Sequence, residues 1–151
     1  GATNVIPSEG HMYGTMRGFN GELTKFMVRR VEEISKGTAQ VFGGDAEVKW
    51  LFSSPAMYCD PDFTDDVVRY ATDVVGAERM IPKKARATGS EDFAYFGQKV
   101  PSQIFWLGGG VDDKSKRISN HNPKVLFSEE ALPYGAAVYA QCAIEWLKEH
   151  K

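Results

Sequence analysis

The first 56 residues alternate between strand-like and helix-like hydrophobic patterns. Residues 11–19 and 46–52 place apolar and polar side chains at alternate positions, which is the period of a half-buried strand. Between them, apolar side chains recur every three or four positions, as on one face of a helix: Leu23, Phe26, Met27, Val31 and Ile34. Asn20 is the predicted N-cap of this helix, and Gly43-Gly44 is its predicted end. The pattern therefore predicts strand, helix, strand.

The second part of the chain predicts three helices and two short strands. One helix is expected near residues 63–75, and strands are expected at Met80–Pro82 and in the apolar run Gln103–Leu107. Residues Thr88–Phe93 form a predicted loop that leads into another helix, for which Ser90 is the candidate N-cap. This arrangement of helices and apolar strands is typical of an α/β fold.

The last helix is expected to be well buried. From Leu132 to Leu147 the chain is rich in alanine and apolar on most sides, and Pro133 falls in the first turn, where its missing N–H costs no hydrogen bond. The elements are nevertheless too few to close a core on both faces of a sheet. We therefore predict an α+β half-domain followed by part of an α/β domain.

Composition excludes several classes of protein. The chain has 151 residues and a net charge of −2, with 18 Lys and Arg against 20 Asp and Glu, so it offers no basic surface for nucleic acid. No apolar run approaches the roughly 18 residues of a membrane span, so no membrane association is expected. Cys59 and Cys142 lie too far apart to form a metal-type pair, and a cytoplasmic location is expected.

Among the three histidines, His121 is the one for which the sequence supports two different roles. His150 is a solvated residue of the tail, and His11 is expected to be an exposed histidine on a strand. His121 lies in the predicted loop Ser119–Pro123, where hydrogen bonding within the loop and metal binding are equally supported. No Ser/His/Asp nucleophile arrangement or phosphate-binding glycine loop is present.

Two further features could bind an anion. The guanidinium of Arg17 could hold a carboxylate through two bonds, although a solvated charge on a strand is the favoured interpretation. If a helix starts near Ser90, the backbone N–H groups of Gly89 and Ser90 would form an anion site. In that position Glu91 and Asp92 are better explained as first-turn acids that interact with the helix dipole than as an acid/base pair.

Six segments, taken in order and spacing, resemble the C-terminal part of the hippurate hydrolase or N-acyl-amino-acid amidohydrolase family. These two-metal, peptidase-like enzymes are related to aminoacylases, carboxypeptidase G-type enzymes and plant auxin-conjugate hydrolases. The resemblance covers nearly the whole chain and rests on the segments Gly1–Pro7, Gly14–Phe19, Thr88–Phe96, Leu107–Gly110, His121–Pro123 and Phe127–Gly135.

The resemblance implies a division into two domains and a set of site residues. Residues 1–56 are similar to the second half of a lid, or dimerisation, domain, and residues 57–151 are similar to the C-terminal portion of the α/β catalytic domain. His121 would bind one of two divalent metal ions, with zinc expected. The residues that would contact the substrate are Asn4 and Arg17 at its carboxylate, often across a dimer interface, and Thr88, Gly89 and Ser90 in the same pocket.

In a complete relative the implied reaction is metal-assisted hydrolysis of the amide bond of N-acyl amino acids or small peptides. The segments that hold the other metal ligands and the general-base glutamate normally precede the lid, and this chain has no counterpart to them. We therefore expect a fragment with no catalytic residue of its own, which binds no metal alone and requires the missing N-terminal half. Self-association through the lid half is also expected. The alternative is a non-catalytic binding or oligomerisation module.

Overall fold

The computed structural model describes residues 3–81 and 86–151, which divide into two compact units. The first unit comprises residues 1–56 and 87–92, and the second comprises residues 57–86 and 93–151. The α-helices are α1 (Gly21–Val41), α2 (Pro61–Val75), α3 (Ala94–Gly97) and α4 (Leu132–Glu149). Three short 3₁₀ helices span Ala77–Arg79, Lys114–Lys116 and Glu129–Ala131. None of the described helices is long and apolar enough to cross a bilayer.

Helix α1 begins and ends where the sequence predicts. The side chain of Asn20 accepts a hydrogen bond from the backbone N–H of Leu23 at 2.7 Å, so Asn20 is the N-cap. The helix ends at Val41, and Gly43 then adopts a left-handed conformation with φ of 77°, which glycine reaches without strain. The predicted capping and termination of α1 are confirmed.

The apolar face of α1 is about half exposed within the first unit. Phe26 is 49% exposed and Ile34 is 55% exposed, and no described residue of this unit is buried. One polar contact ties the following segment to the helix, because the indole N–H of Trp50 donates to the carboxylate of Glu32 at 2.8 Å. The described part of the first unit is therefore stabilised by local and polar contacts rather than by an apolar core.

The predicted strands at 11–19, 46–52 and 103–107 are not formed among the described residues. Met80 and Ile81 are not in a strand either, and Pro82 lies outside the described residues. The β-pairing that the described residues show is an isolated antiparallel bridge between Gly110 and Phe127. Alternation of apolar and polar positions shows only that a segment suits a sheet, whereas a strand also needs a neighbouring strand to complete its hydrogen bonds. The strand predictions were therefore wrong for this structure.

The second unit is organised around the antiparallel pair of α2 and α4. Its buried apolar side chains include three from α2 and one from α4: Val67, Tyr70, Ala71 and Val138. The guanidinium of Arg79, which follows α2, lies 5.1 Å from the ring centre of Tyr134 near the start of α4. Arg69, near the middle of α2, instead contacts Glu149 at the end of α4. These two contacts establish the antiparallel orientation.

A polar cluster, the Glu149 clamp, joins the two helices. Arg69 donates to both carboxylate oxygens of Glu149, at 2.7 and 2.8 Å, and the hydroxyl of Tyr70 donates to Oε2 of Glu149 at 2.6 Å. Arg69 also donates to Asp66 at 2.8 Å. The hydrogen bonds from Arg69, with a further contribution from Tyr70, lower the pKa of Glu149 from 4.5 to about 2. The carboxylate is therefore held in its charged form.

The segment before residue 108 lies against both helices. Asp60, the N-cap of α2, donates its backbone N–H to the carbonyl of Ser102 at 2.9 Å. The ring centres of Phe105 and Tyr139 are 5.3 Å apart. A Cβ atom on Gly135 would lie 2.9 Å from Leu107, so this glycine allows the segment to approach α4 closely. The run 103–107 therefore packs on α4 as an unpaired segment.

Two predictions about helices in the second unit were wrong. Helix α3 begins at Ala94, four positions after Ser90, so Ser90 is not an N-cap. Helix α4 begins after residues 129–131, with Pro133 in its first turn as predicted. However, within α4 only Val138 is buried, whereas Leu132 and Tyr139 are exposed. Alanine content predicts close packing only where other elements cover each face of the helix.

We expect acid to weaken the second unit through Glu149. Because the folded state lowers the pKa of this carboxyl, its contribution to stability is present above pH 4.5 and is lost as the pH falls through about 2. The substitution Glu149→Gln should lower the free energy of unfolding at neutral pH and flatten its decline over this pH range. Urea unfolding followed by far-UV circular dichroism measures both effects.

The matched control is Glu145→Gln, which removes a carboxylate on the same helix whose ion pair among the described residues is with Lys148, one turn away. Such exposed pairs contribute little to stability. If the two variants showed the same stability and the same pH dependence, the Glu149 clamp would not be the contact that joins α2 to α4.

Candidate functional site

Arg17 is hydrogen-bonded to the loop that follows residue 86. Its Nε donates to the carbonyl of Thr88 at 3.0 Å, and its Nη1 donates to the carbonyl of Met16 at 3.3 Å. The side chain is exposed. A guanidinium has five N–H groups, and those of Nη2 have no hydrogen-bond acceptor among the described residues. Arg17 is thus held by two carbonyls while part of its fork stays open to a ligand.

The loop of residues 88–90, the Thr88–Ser90 loop, has a second attachment within the first unit. The hydroxyl oxygens of Ser90 and Ser54 lie 2.8 Å apart and share a hydrogen bond. Between the two attachment points lies Gly89, where an added Cβ would meet no atom within 4 Å. The loop is therefore fixed at both ends and open at its centre.

The predicted anion site at a helix N-terminus is wrong. No helix starts at Ser90, and α3 is a single turn that begins at Ala94 without a side-chain cap. The N–H groups at Gly89 and Ser90 consequently gain no help from a helix dipole. Arg17, which lies 71 positions away in the sequence, places a positive charge beside the loop. The sequence around the loop could not predict this contact, because the two residues are distant along the chain.

Asn4 lies in an exposed turn of the first unit. Among the described residues it has no hydrogen bond to Arg17 or to the Thr88–Ser90 loop. The structure therefore joins Arg17 to the Thr88–Ser90 loop and shows no hydrogen bond between Asn4 and either of them among the described residues. The role of each in substrate binding stays a prediction.

His121 belongs to the second unit and has an unusual backbone conformation. It is exposed, and its φ of 67° lies in the left-handed region. The turn continues with Asn122, whose side chain accepts from the N–H of Lys124 at 2.9 Å and whose carbonyl accepts from the N–H of Val125 at 3.0 Å. A side chain in this region costs about 1 kcal/mol, and such residues concentrate at functional positions.

An exposed imidazole suits zinc, but one histidine does not make a zinc site. Zinc takes about four nitrogen, sulfur or oxygen ligands. In the part of the chain that the structure describes, no group of three or more His, Cys, Asp or Glu side chains is placed to hold a metal. His121 thus fits the chemistry of a ligand, whereas the set of ligands around it is incomplete.

The other two histidines, His11 and His150, contact residues close to them in the sequence. His11 is exposed, and its Nε2 lies 4.0 Å from the carboxylate of Glu9. His150 is exposed and stacks on the indole of Trp146, with ring centres 4.4 Å apart, and its Nδ1 bonds the carbonyl of Trp146 at 2.9 Å. The stacking was not predicted, although the spacing of four residues on a helix favours such contacts.

A shallow cavity of about 210 Å³ lies in the second unit beside the N-terminus of α2. Its lining includes Asp60 and Ser102, whose side chains are already hydrogen-bonded within the unit. None of the predicted site residues lines it. The cavity therefore belongs to the packing of α2 against the segment 97–102.

Comparison with known proteins gives consistent matches. The model of peptidase family M20/M25/M40 matches residues 5–145. IAA-amino acid hydrolase ILR1-like 2 of Arabidopsis thaliana is 34% identical over 152 residues, which cover 98% of this chain and 34% of that protein. N-acetyldiaminopimelate deacetylase of Streptococcus suis is 34% identical over 135 residues, covering 87% and 33%. Putative amidohydrolase YhaA of Bacillus subtilis is 29% identical over 143 residues, covering 95% and 36%. The chain thus spans about one third of the length of these relatives.

We expect the backbone conformation of His121 to cost stability. His121→Gly should raise the free energy of unfolding by up to about 1 kcal/mol, because glycine adopts positive φ without strain. His121→Val should lower it by about 1 to 2 kcal/mol, because a β-branched side chain tolerates this region poorly. Urea unfolding measures both values. His11→Val is the control, since His11 has no positive φ, and a lower stability of His121→Gly would contradict the assignment.

Proposed function

Because the chain belongs to peptidase family M20/M25/M40, we propose that it is the part of a metal-dependent amidohydrolase that binds the carboxylate of the substrate. The proposed substrates are N-acyl amino acids or small peptides. Support comes from the names of two relatives, which identify amino-acid conjugates: an IAA-amino acid hydrolase and an N-acetyldiaminopimelate deacetylase. The observation that supports the proposal most is the pairing of Arg17 with the Thr88–Ser90 loop.

In this proposal the two parts of the chain have different places in the parent enzyme. Residues 1–56 are the second half of a lid, or dimerisation, domain, and residues 57–151 are the C-terminal portion of an α/β catalytic domain. The segments 11–19, 46–52 and 103–107 then pair with strands in the rest of the parent. Their alternating or apolar sequence supports this placement.

Arg17 is proposed to bind the free carboxylate of the substrate. Its Nε and Nη1 already donate to carbonyl oxygens, which fix the plane of the guanidinium. The N–H groups of Nη2, together with the second N–H of Nη1, are then available for charge-assisted hydrogen bonds. The open space beside Gly89 admits the ligand next to the guanidinium. A free carboxylate is thereby favoured over a neutral carboxamide.

His121 is proposed to offer one imidazole to the metal centre of the parent. The metal ions, when bound, would supply a polarised amide carbonyl and an activated water. This chain contributes the exposed ring nitrogen, presented from a turn in a left-handed conformation. The remaining ligands and the general-base glutamate are assigned to the other two thirds of the parent. The 151-residue chain alone is therefore proposed to be inactive.

A second candidate function, a non-catalytic oligomerisation module, is favoured by one observation. The apolar face of α1 is about half exposed at Phe26 and Ile34. Exposed apolar surfaces of this kind promote association with another chain. In this candidate Arg17 is a solvated charge and binds no ligand. The two candidates thus differ in whether the first unit recognises a carboxylate.

We expect the 151-residue chain to bind N-benzoylglycine more tightly than its neutral carboxamide. A titration followed by the backbone amide resonance of Gly89 measures both dissociation constants. Arg17→Gln should weaken binding of the carboxylate about tenfold and leave binding of the carboxamide unchanged, because a charge-assisted hydrogen bond is lost. Arg17→Lys, which keeps the charge without the planar fork, should fall between the two.

The matched control is Arg30→Gln, which removes a positive charge from the first unit at a residue that pairs with Glu33 on α1. It should bind as the unmodified chain does. Equal affinity for the carboxylate and the carboxamide would contradict the proposal. If the resonances instead broadened with protein concentration and did not respond to either ligand, the oligomerisation module would be the better explanation.

A further inference from the structure

The Thr88–Ser90 loop is held in the first unit by contacts between residues that are distant in the sequence. Residues 86 and 93, on either side of the loop segment 87–92, belong to the second unit, whereas the segment itself belongs to the first. The contacts with Arg17 and Ser54 join positions 71 and 36 residues apart, respectively. The placement of the loop is therefore a tertiary feature and does not follow from its own sequence.

The two contacts restrain different parts of the loop. Arg17 binds the backbone carbonyl at Thr88, and Ser54 binds the side-chain hydroxyl of Ser90. Gly89 between them has the largest backbone freedom of any residue type. Fixing its two neighbours restricts that freedom, since both ends of a three-residue segment are then attached to the same unit. Without the hydroxyl of Ser54, the bond from Arg17 to the carbonyl of Thr88 would remain and the bond to Ser90 would be lost.

Ser54 is well placed for this restraint. It is half-buried, whereas Ser90 is exposed, and the distance of 2.8 Å between their hydroxyl oxygens is normal for an O–H···O hydrogen bond. Either hydroxyl can donate, so each keeps a second hydrogen-bonding capacity. Among the described residues, Ser54 has no hydrogen bond to the guanidinium of Arg17. Any effect on a bound carboxylate therefore passes through Ser90.

We propose that Ser54 is a positioning residue of the carboxylate site, which acts through Ser90 to hold the Thr88–Ser90 loop beside Arg17. This inference rests on the proposed function, because it assigns Ser54 a part in binding the carboxylate of the substrate. Ser54 does not touch the ligand. It fixes the loop that borders the open side of the guanidinium, so that Arg17 is not the sole attachment of that loop.

The test compares Ser54→Ala with Ser54→Thr in the 151-residue chain. Ser54→Ala should weaken binding of N-benzoylglycine by about two- to tenfold, the effect of one neutral hydrogen bond, with little change for the carboxamide. It should also lower the backbone order parameter of Gly89 in ¹⁵N relaxation and leave those of α1 unchanged. Ser54→Thr keeps the hydroxyl and should restore both values. Ser8→Ala, an exposed position in the first unit, is the control for the change in composition.

Each outcome separates this inference from the proposed function. If the unmodified chain does not distinguish N-benzoylglycine from its carboxamide, the proposed function is wrong and the positioning role falls with it. If carboxylate binding is present but Ser54→Ala leaves both the affinity and the order parameter of Gly89 unchanged, only the role of Ser54 is wrong. Loss of order throughout α1, or failure of Ser54→Thr to restore binding, would show a general structural role instead.

Discussion

The packing of α2 against α4 around Tyr70 is the interaction on which the second unit depends. Tyr70 is 1% exposed, and a phenol buried to this degree needs a hydrogen-bond partner. Glu149 supplies it and also binds both ends of the guanidinium of Arg69, so a single carboxylate satisfies two side chains of the facing helix. The segment before residue 108 is attached to this helix pair through Ser102 and Phe105. Without the pair, that segment would lose these two contacts.

The first unit is held together in a different way. No described residue of it is buried, and its order comes from individual polar contacts that include the cap at Asn20 and the bond between Trp50 and Glu32. Arg17 and Ser54 bind the Thr88–Ser90 loop in the same manner, through one hydrogen bond each to the loop. Such contacts contribute modestly to stability but fix geometry well. The candidate carboxylate site therefore depends on a few directional bonds rather than on a packed core.

The sequence predicted the elements whose causes are local. The cap at Asn20, the end of α1 and the position of Pro133 follow from neighbouring residues, and the structure confirms them. The predicted strands are not formed among the described residues, because a strand depends on a neighbouring strand that the local pattern cannot supply. Ser90 was predicted to be a helix N-cap from the residues around it. In the structure its hydroxyl instead shares a hydrogen bond with the distant Ser54.

For the candidate site, too, the sequence predicted local features but not tertiary contacts. Composition and spacing left Arg17 as a solvated charge and His121 with two equal roles, and the family resemblance singled out both as site residues. The contact of Arg17 with Thr88 and the positive φ of His121 are visible only in three dimensions. Ser54 had no signal in the sequence, since Ser-Ser-Pro is common in linkers.

We propose that this chain offers one histidine, His121, to a metal centre that it does not complete. The most direct test is the zinc content of the purified 151-residue chain, measured by elemental analysis after zinc loading and exhaustive dialysis. Because zinc needs about four ligands, we expect retention well below one zinc per chain, unchanged by His121→Ala. Retention of one zinc or more per chain that is lost in His121→Ala would contradict the claim, since the chain would then complete the site around His121 itself.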